Sequence, residues 1–168
     1  YVDVDEYGTI DLAQLRDSIT DETILISIMF ANNEIGTIQP IKEIGKIAKE
    51  NGVYFHTDAV QAIGHIKIDV DELNIDMLSM AAHKFYGPKG IGVLYIRSGV
   101  KIDPLISGGG QERNRRAGTE NVPGIVGMGK AIELAYENLE EHNNRLIKMR
   151  DRLIKKVFER IDYVKLNG

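Results

Sequence analysis

Ser79-Met80-Ala81-Ala82-His83-Lys84-Phe85-Tyr86-Gly87-Pro88-Lys89-Gly90 joins the end of an apolar run, Asp76 to Met80, to a histidine, a lysine and a Gly-Pro-x-Gly turn. The run has the length and composition of a buried strand. A lysine at the mouth of such a strand is costly unless it has a task. Its amine titrates near 10.4 when free, and burial or a nearby cation turns it into a nucleophile. The small residues Ala81 and Ala82 leave room for a bulky group, and the turn after Lys84 fixes the backbone.

Two similar strand ends precede it. Glu22 to Phe30 holds Ile24, Leu25, Ile26, Ile28 and Met29, a nearly continuous apolar run expected to be covered on both faces. It empties into Ala31-Asn32-Asn33-Glu34-Ile35-Gly36. Val53 to His56 reads as the next strand and leaves into Thr57-Asp58-Ala59-Val60-Gln61. Ile91 to Ile96 reads as a further strand, and Tyr1 to Val4 and Tyr163 to Leu166 as strand-like ends.

Helical patterns alternate with these runs. Asp11 begins one with Leu12, Leu15 and Ile19 on one side; Pro40 opens another through Glu50, with Ile41, Ile44, Ile47 and Ala48 in a stripe and Asn51-Gly52 as its stop. From Val122 a long pattern reaches Ile161, with a break expected near Asn143-Asn144 and a stripe of Leu139, Leu146, Met149, Leu153, Val157 and Ile161. The class is therefore α/β with a mostly parallel or mixed sheet. Residues 1–125 are expected to form part of a large domain. Residues 126–168 are expected to form a linker helix leading to a smaller one.

In such sheets ligands sit beyond the carboxyl ends of the strands. Asn33, Asp58 and His83-Lys84 all leave strands at that end. Singly, each has a plain structural use: an Asn-Asn turn, a helix cap, a surface histidine. Together they suit pyridoxal phosphate. Lys84 would be its Schiff-base lysine, Asp58 would keep its pyridine nitrogen protonated, and Gln61, three residues on, would reach the ring hydroxyl. His83 would donate to the phosphate, and His56 lies beside the cluster. Ser107-Gly108-Gly109-Gly110 and the following Arg113, Arg115, Arg116 and Thr119 suit a loop that reaches an anion. Gly87 to Gly92 precedes a strand rather than following one, so a dinucleotide fingerprint is not met, and no Walker A pattern occurs.

The 168 residues carry a net charge of −4 and no cysteine. The charge weighs against a nucleic-acid surface. The missing cysteine removes disulfides, thiolate metal sites and a cysteine nucleophile from this stretch, and no metal site is expected. No apolar run reaches a membrane span and no signal peptide opens the chain, so a cytoplasmic protein with no membrane contact is the expectation. The chain starts at Tyr1 and stops after a strand-like run, which reads as a fragment of a larger enzyme.

Four segments in order carry a family resemblance. They are Asn32 to Gly36, His56 to Gln61, Ala82 to Gly90, and Gly108-Gly109-Gly110-Gln111-Glu112-Arg113 with Arg116-Ala117-Gly118-Thr119. The chain resembles the cysteine desulfurases, class V members of the fold-type I pyridoxal-phosphate enzymes. The Arg-x-Gly-Thr segment followed by Val126-Gly127-Met128-Gly129 points to the desulfurases in particular.

The resemblance implies Lys84 as covalent anchor and proton carrier, Asp58 on the ring nitrogen, Gln61 on the phenolic oxygen and His83 at the phosphate. It implies Asn33 at the ring oxygen or substrate carboxylate, Thr119 at the phosphate of the other subunit of a homodimer, and Ala59 beneath the ring. It implies L-cysteine as substrate, with sulfur passed to an acceptor or scaffold protein for iron–sulfur cluster assembly or tRNA thiolation. Ala81 departs from the pattern, because many relatives carry a phosphate-binding serine there; Ser79 is expected to face differently. The ring stack and a phosphate loop are expected before Tyr1. The nucleophilic cysteine and the substrate-carboxylate arginine are expected after Gly168. The alternatives are another class V enzyme, such as an aminotransferase or selenocysteine lyase, and a non-catalytic dimerisation or scaffold module.

Overall fold

The computed structural model describes residues 1–168. Its centre is a four-stranded sheet in the order β1-β2-β3-β4, formed by Leu25–Met29 (β1), Tyr54–Asp58 (β2), Met77–Ala81 (β3) and Gly92–Ile96 (β4). The first three strands are parallel and β4 runs antiparallel to β3, giving the mixed sheet expected. Val4 makes only an isolated bridge to Ile10, and Tyr163 to Leu166 form no strand. Strand-like composition is thus not enough at either end of the chain, where neither stretch finds a partner strand.

Helix α1 (Leu12–Asp17) starts where Asp11 caps it, its Oδ1 accepting from the Ala13 and Gln14 N–H groups at 2.8 and 3.1 Å. Helix α2 (Ile41–Glu50) buries Ile41, Ile44, Ile47 and Ala48, the stripe read from the sequence. These residues join Leu15, Ile26, Phe55, Ile75 and Leu78 in one core on the helix-covered side of the sheet. After β4, Arg97 ties that edge together. Its guanidinium donates to the Val70 carbonyl at 2.8 Å, to the Ile75 carbonyl and to Asp71. The hydrogen bond it donates to the Asp71 carboxylate raises the already high Arg97 pKa.

The apolar run of β1 is covered on one face only. Ile26 is buried, whereas Leu25 is 44% exposed; Tyr54 on β2 and Leu94 on β4 are 43% and 45% exposed. Successive side chains point to opposite faces, so register puts these three on one open side.

A short, irregular helix, Gln111–Asn114 (α3), precedes the two long ones, Val122–Glu137 (α4) and Leu139–Arg160 (α5). The break falls at Asn138, not at Asn143-Asn144. Both of those asparagines lie inside α5, and Asn143 uses its amide to bond the His65 carbonyl at 2.8 Å. Helix α4 buries Met128 in the core, with Ala131, Ile132 and Ala135 packed against it. Helix α5 has no buried residue: Leu146, Met149 and Leu153 of its apolar stripe are exposed, and Leu139 and Val157 are half-buried. No helix is long and apolar enough to cross a membrane.

Candidate functional site

Asp58 is the last residue of β2, two positions further along the strand than the sequence pattern suggests, and its backbone is held from both sides. The Phe30 N–H donates to its carbonyl at 2.8 Å, which ties it to the end of β1. The next N–H, from Ala59, donates to the Ser79 carbonyl on β3 at 3.0 Å. The carboxylate is exposed, and its Oδ1 accepts from the Val60 N–H at 2.9 Å. Its Oδ2 has no hydrogen-bond or ion-pair partner within the chain, which leaves its lone pairs available.

The chain then turns. Ala62 and Ile63 N–H groups both donate to the Ala59 carbonyl, at 2.9 and 3.0 Å, so Gln61 sits one turn beyond Asp58 and half-buried. This is the turn expected to align the two side chains. Ala59 itself is fully buried and belongs to the core. The expectation that it lies beneath a ring is therefore corrected: a residue without accessible surface offers a ligand nothing to touch.

His83 and Lys84 lie on a 3-10 turn, Ala82–Phe85, directly after β3. Buried Ala82 and Phe85 anchor the turn, while His83 and Lys84 between them are exposed. Lys84 is thus not a buried lysine in this chain, as its place at a strand mouth suggested. Tyr86 closes the turn at φ 65°, and the Gly87 N–H returns to the Ala82 carbonyl at 2.9 Å. A side chain at Gly87 would come within 2.9 Å of both the Ala82 methyl and its carbonyl oxygen, so glycine is needed there. Helix α4 packs on this turn and supports it from behind.

Asn33 follows the end of β1 with an exposed side chain. Its neighbour Asn32 does the turn-forming, accepting from the Glu34 and Ile35 N–H groups at 2.8 and 3.1 Å. The pair thus divides its labour, and Asn33 remains free to bind. Asp58 and Ser79 are Cα partners across β2 and β3, so the Asp58 and His83-Lys84 segments emerge from adjacent strands at the same sheet edge. Asn33 leaves the third adjoining strand.

Thr119 stands apart. It is exposed, follows α3, and makes no hydrogen bond to the strand-end residues. Before it, Glu112, Arg113 and Asn114 take left-handed φ values of 48, 56 and 63°. Three successive non-glycine residues in that region are rare, and nothing in the sequence signals them.

The sequence reading missed one polar line. On the open face, Ser27 Oγ bonds His56 Nδ1 at 2.8 Å, and His56 Nε2 bonds Ser79 Oγ at 2.9 Å. Ser79 therefore shares the face of Ala81 and does not point elsewhere as expected; its hydroxyl is engaged by His56. Partial burial pushes the His56 imidazole below its ordinary pKa, and the Asp58 carboxylate pulls more weakly the other way. The signal for this line lay in strand register, which the sequence pattern alone does not give.

The donor set fits pyridoxal phosphate in its chemistry. It offers an unpartnered carboxylate oxygen on an exposed residue, a half-buried amide one turn away, and an accessible amine and imidazole on the adjacent strand end. The aminotransferase class-V family matches residues 1–167. A relative named cysteine desulfurase IscS, from Methanosarcina thermophila, is 68% identical over the whole chain, which spans 41% of that relative's length. A solved NifS-like protein superposes with TM-score 0.91 at 48% identity, covering 95% of this chain and 44% of that one. A structure described as SspA in complex with cysteine gives TM-score 0.77 at 50% identity, covering 79% of this chain and 39% of that one.

Proposed function

Because this chain belongs to the aminotransferase class-V family, we propose that it is part of a pyridoxal-phosphate-dependent cysteine desulfurase. The observation that carries the reading is the pairing of Asp58 with Ser79 in register. It sets the Asp58 and Lys84 segments side by side at the carboxyl ends of neighbouring parallel strands. The name of the Methanosarcina thermophila relative and the one structure described as a complex with cysteine support the substrate class.

Pyridoxal phosphate, when bound, supplies an electron sink for bonds at the substrate's α carbon. Lys84 holds it covalently and moves a proton at that carbon. Asp58 uses its free carboxylate oxygen to pair with the ring N–H, and its Asx turn keeps the carboxylate oriented. Gln61 bonds the phenolic oxygen. His83 donates to the phosphate from one subunit and Thr119 reaches it from the other, so a homodimer is part of the proposal. Asn33 bonds the ring oxygen or the substrate carboxylate. The reaction breaks the carbon–sulfur bond of L-cysteine, forms a sulfur–sulfur bond on a protein thiol, and places a proton on carbon to give L-alanine. The thiol sulfur is oxidised as the carbon is reduced. These 168 residues hold no cysteine, so the thiol belongs to another part of the enzyme. The sulfur then passes to an acceptor or scaffold protein for iron–sulfur clusters or tRNA thiolation, in the cytoplasm.

We also propose a division into a large domain and a linker region. The core contacts of Met128 argue for a boundary near Asn138 rather than residue 126.

The test uses the full-length protein loaded with pyridoxal phosphate. L-Cysteine is expected to give alanine and protein-bound persulfide in equal amounts, and Lys84→Ala to abolish both. Release of alanine from selenocysteine alone, or amino transfer to an oxo acid, would move the assignment to another class V enzyme. No reaction with any of these, in protein that folds, would leave a scaffold module.

A further inference from the structure

The Asn33 side chain has no partner within the chain, so its place is set by the loop that carries it. That loop is a hairpin. The Gln39 N–H donates to the Phe30 carbonyl at 2.9 Å, Ala31 and Ile38 form an antiparallel bridge, and the Asn32 N–H donates to the Thr37 carbonyl at 2.9 Å. The Gly36 N–H returns to the Asn32 carbonyl at 3.2 Å, and residues 33–36 at the tip are all exposed. These bonds set the hairpin's shape. They tie it to nothing beyond β1 and the start of α2.

Every hydrogen bond from residues 31–39 to a distant segment ends on a turn near the start of the chain. Thr37 Oγ1 donates to the Tyr7 carbonyl, Gln39 Nε2 donates to the Gly8 carbonyl at 2.7 Å, and Gln39 Oε1 accepts from the Ile10 N–H at 3.0 Å. Gln39 is buried, and removing its amide would strand two backbone groups. Gly8 takes φ 79°, and a side chain there would come within 2.6 Å of Ile35 Cδ1, so Ile35 of the tip lies close over the turn. The turn itself is closed and anchored. Asp5 Oδ1 accepts from the Tyr7 and Thr9 N–H groups at 2.9 and 2.8 Å, and Val2 and Ile10 on either side pack against the core.

We propose that Thr37 and Gln39 are positioning residues: by clasping the turn at residues 7–10 they fix the lean of the hairpin and hold the Asn33 amide where it meets cofactor or substrate. This rests on the role given to Asn33 above. Both act through Asn33 and not by contact with the cofactor. The other strand-end groups have backing of their own. Asp58 is held by β1 and β3, and Lys84 sits on a turn anchored by buried Ala82 and Phe85. Asn33 lies outside the sheet, and the clasp supplies the backing that its own strand end lacks.

Amide hydrogen exchange of the full-length protein without cofactor gives the first test. Thr37→Val keeps the shape and removes the hydroxyl. It is expected to speed exchange at Asn32 and Gly36 about fivefold, the factor for one hydrogen bond of ordinary net strength, and to leave α2 unchanged. Thr37→Ser keeps the hydroxyl and is expected to match wild type. No change at the hairpin in Thr37→Val, an equal change in α2, or a serine variant as fast as the valine one overturns the proposal.

The second test is a cycle of Asn33→Ala, Gln39→Leu and the two combined, read in pyridoxal phosphate affinity and in KM for L-cysteine. Asn33→Ala is expected to weaken at least one of these. Gln39→Leu is expected to weaken the same quantity about fivefold alone, and by less than about twofold when Asn33 is already alanine. A loss in protein stability alone would not produce that dependence on Asn33. Losses that simply add overturn the proposal. If Gln39→Leu does not fold, Thr37→Val takes its place in the cycle. Failure of the underlying reading looks different: Asn33→Ala would then change neither quantity, and the proposal falls with it whatever the exchange rates show.

Discussion

The two faces of the sheet are built from the same strands and live in different surroundings. One face presents Ile26, Phe55 and Leu78 to α1, α2 and the turn after β3, and all three are buried. The other presents Leu25, Tyr54 and Leu94 to the outside, with a polar line of Ser27, His56 and Ser79 across its middle. The covered face supplies the stability, and the open face carries the groups nearest the proposed chemistry. Apolar residues on both sides of a strand specify that both sides can be covered. They do not specify that one chain segment covers both.

Several substitutions sharpen or break that contrast. The largest effect is expected from Phe55→Ala, which empties the centre of the covered face and should cost about 3–5 kcal/mol in urea unfolding. Tyr54→Ala, one residue away on the open face, should stay within about 1 kcal/mol. Equal losses would show that both faces are packed in solution.

Gly45→Ala comes next. A methyl there would overlap the Leu73 carbonyl oxygen, a backbone atom, so α2 must shift off the covered face. A loss of about 2 kcal/mol is expected despite the ~1 kcal/mol gain in helix propensity.

Thr57→Val runs the other way. Thr57 has no accessible surface, and its hydroxyl lacks a hydrogen-bond partner. Valine keeps the shape and removes the unpaired group, so a gain of about 1 kcal/mol is expected from the same unfolding curves.

The smallest effect belongs to the open face and to pH. His56 has a lowered pKa in the fold. Its contribution is therefore fully present above the unfolded value of about 6.5 and declines as pH falls below it. Unfolding midpoints measured between pH 5 and 8 should show that slope, and His56→Asn should flatten it. An unchanged slope would mean that other groups set it.

Much of this was legible in the residues. Helix α2 is bounded by Pro40 and Asn51-Gly52 and striped by three isoleucines, local signals that need no tertiary information. The carboxyl-end location of Asn33, Asp58 and Lys84 followed from apolar runs emptying into polar ones. What depended on register or on distant partners was not legible. The Ser27–His56–Ser79 line requires knowing which residues of three strands stand opposite. The break between α4 and α5 was misplaced because Asn143 reads locally as a helix breaker, whereas it serves a carbonyl 78 positions away in sequence. The exposure of Lys84 was missed for a similar reason: strand length says nothing about how many sides are covered.

Borohydride reduction of the full-length protein bound to pyridoxal phosphate, followed by peptide mapping, tests the central claim most directly. The account predicts that the cofactor is fixed to the peptide containing Lys84, and that none is fixed in Lys84→Ala. Attachment to another residue such as Lys89, or undiminished attachment in the variant, would contradict it.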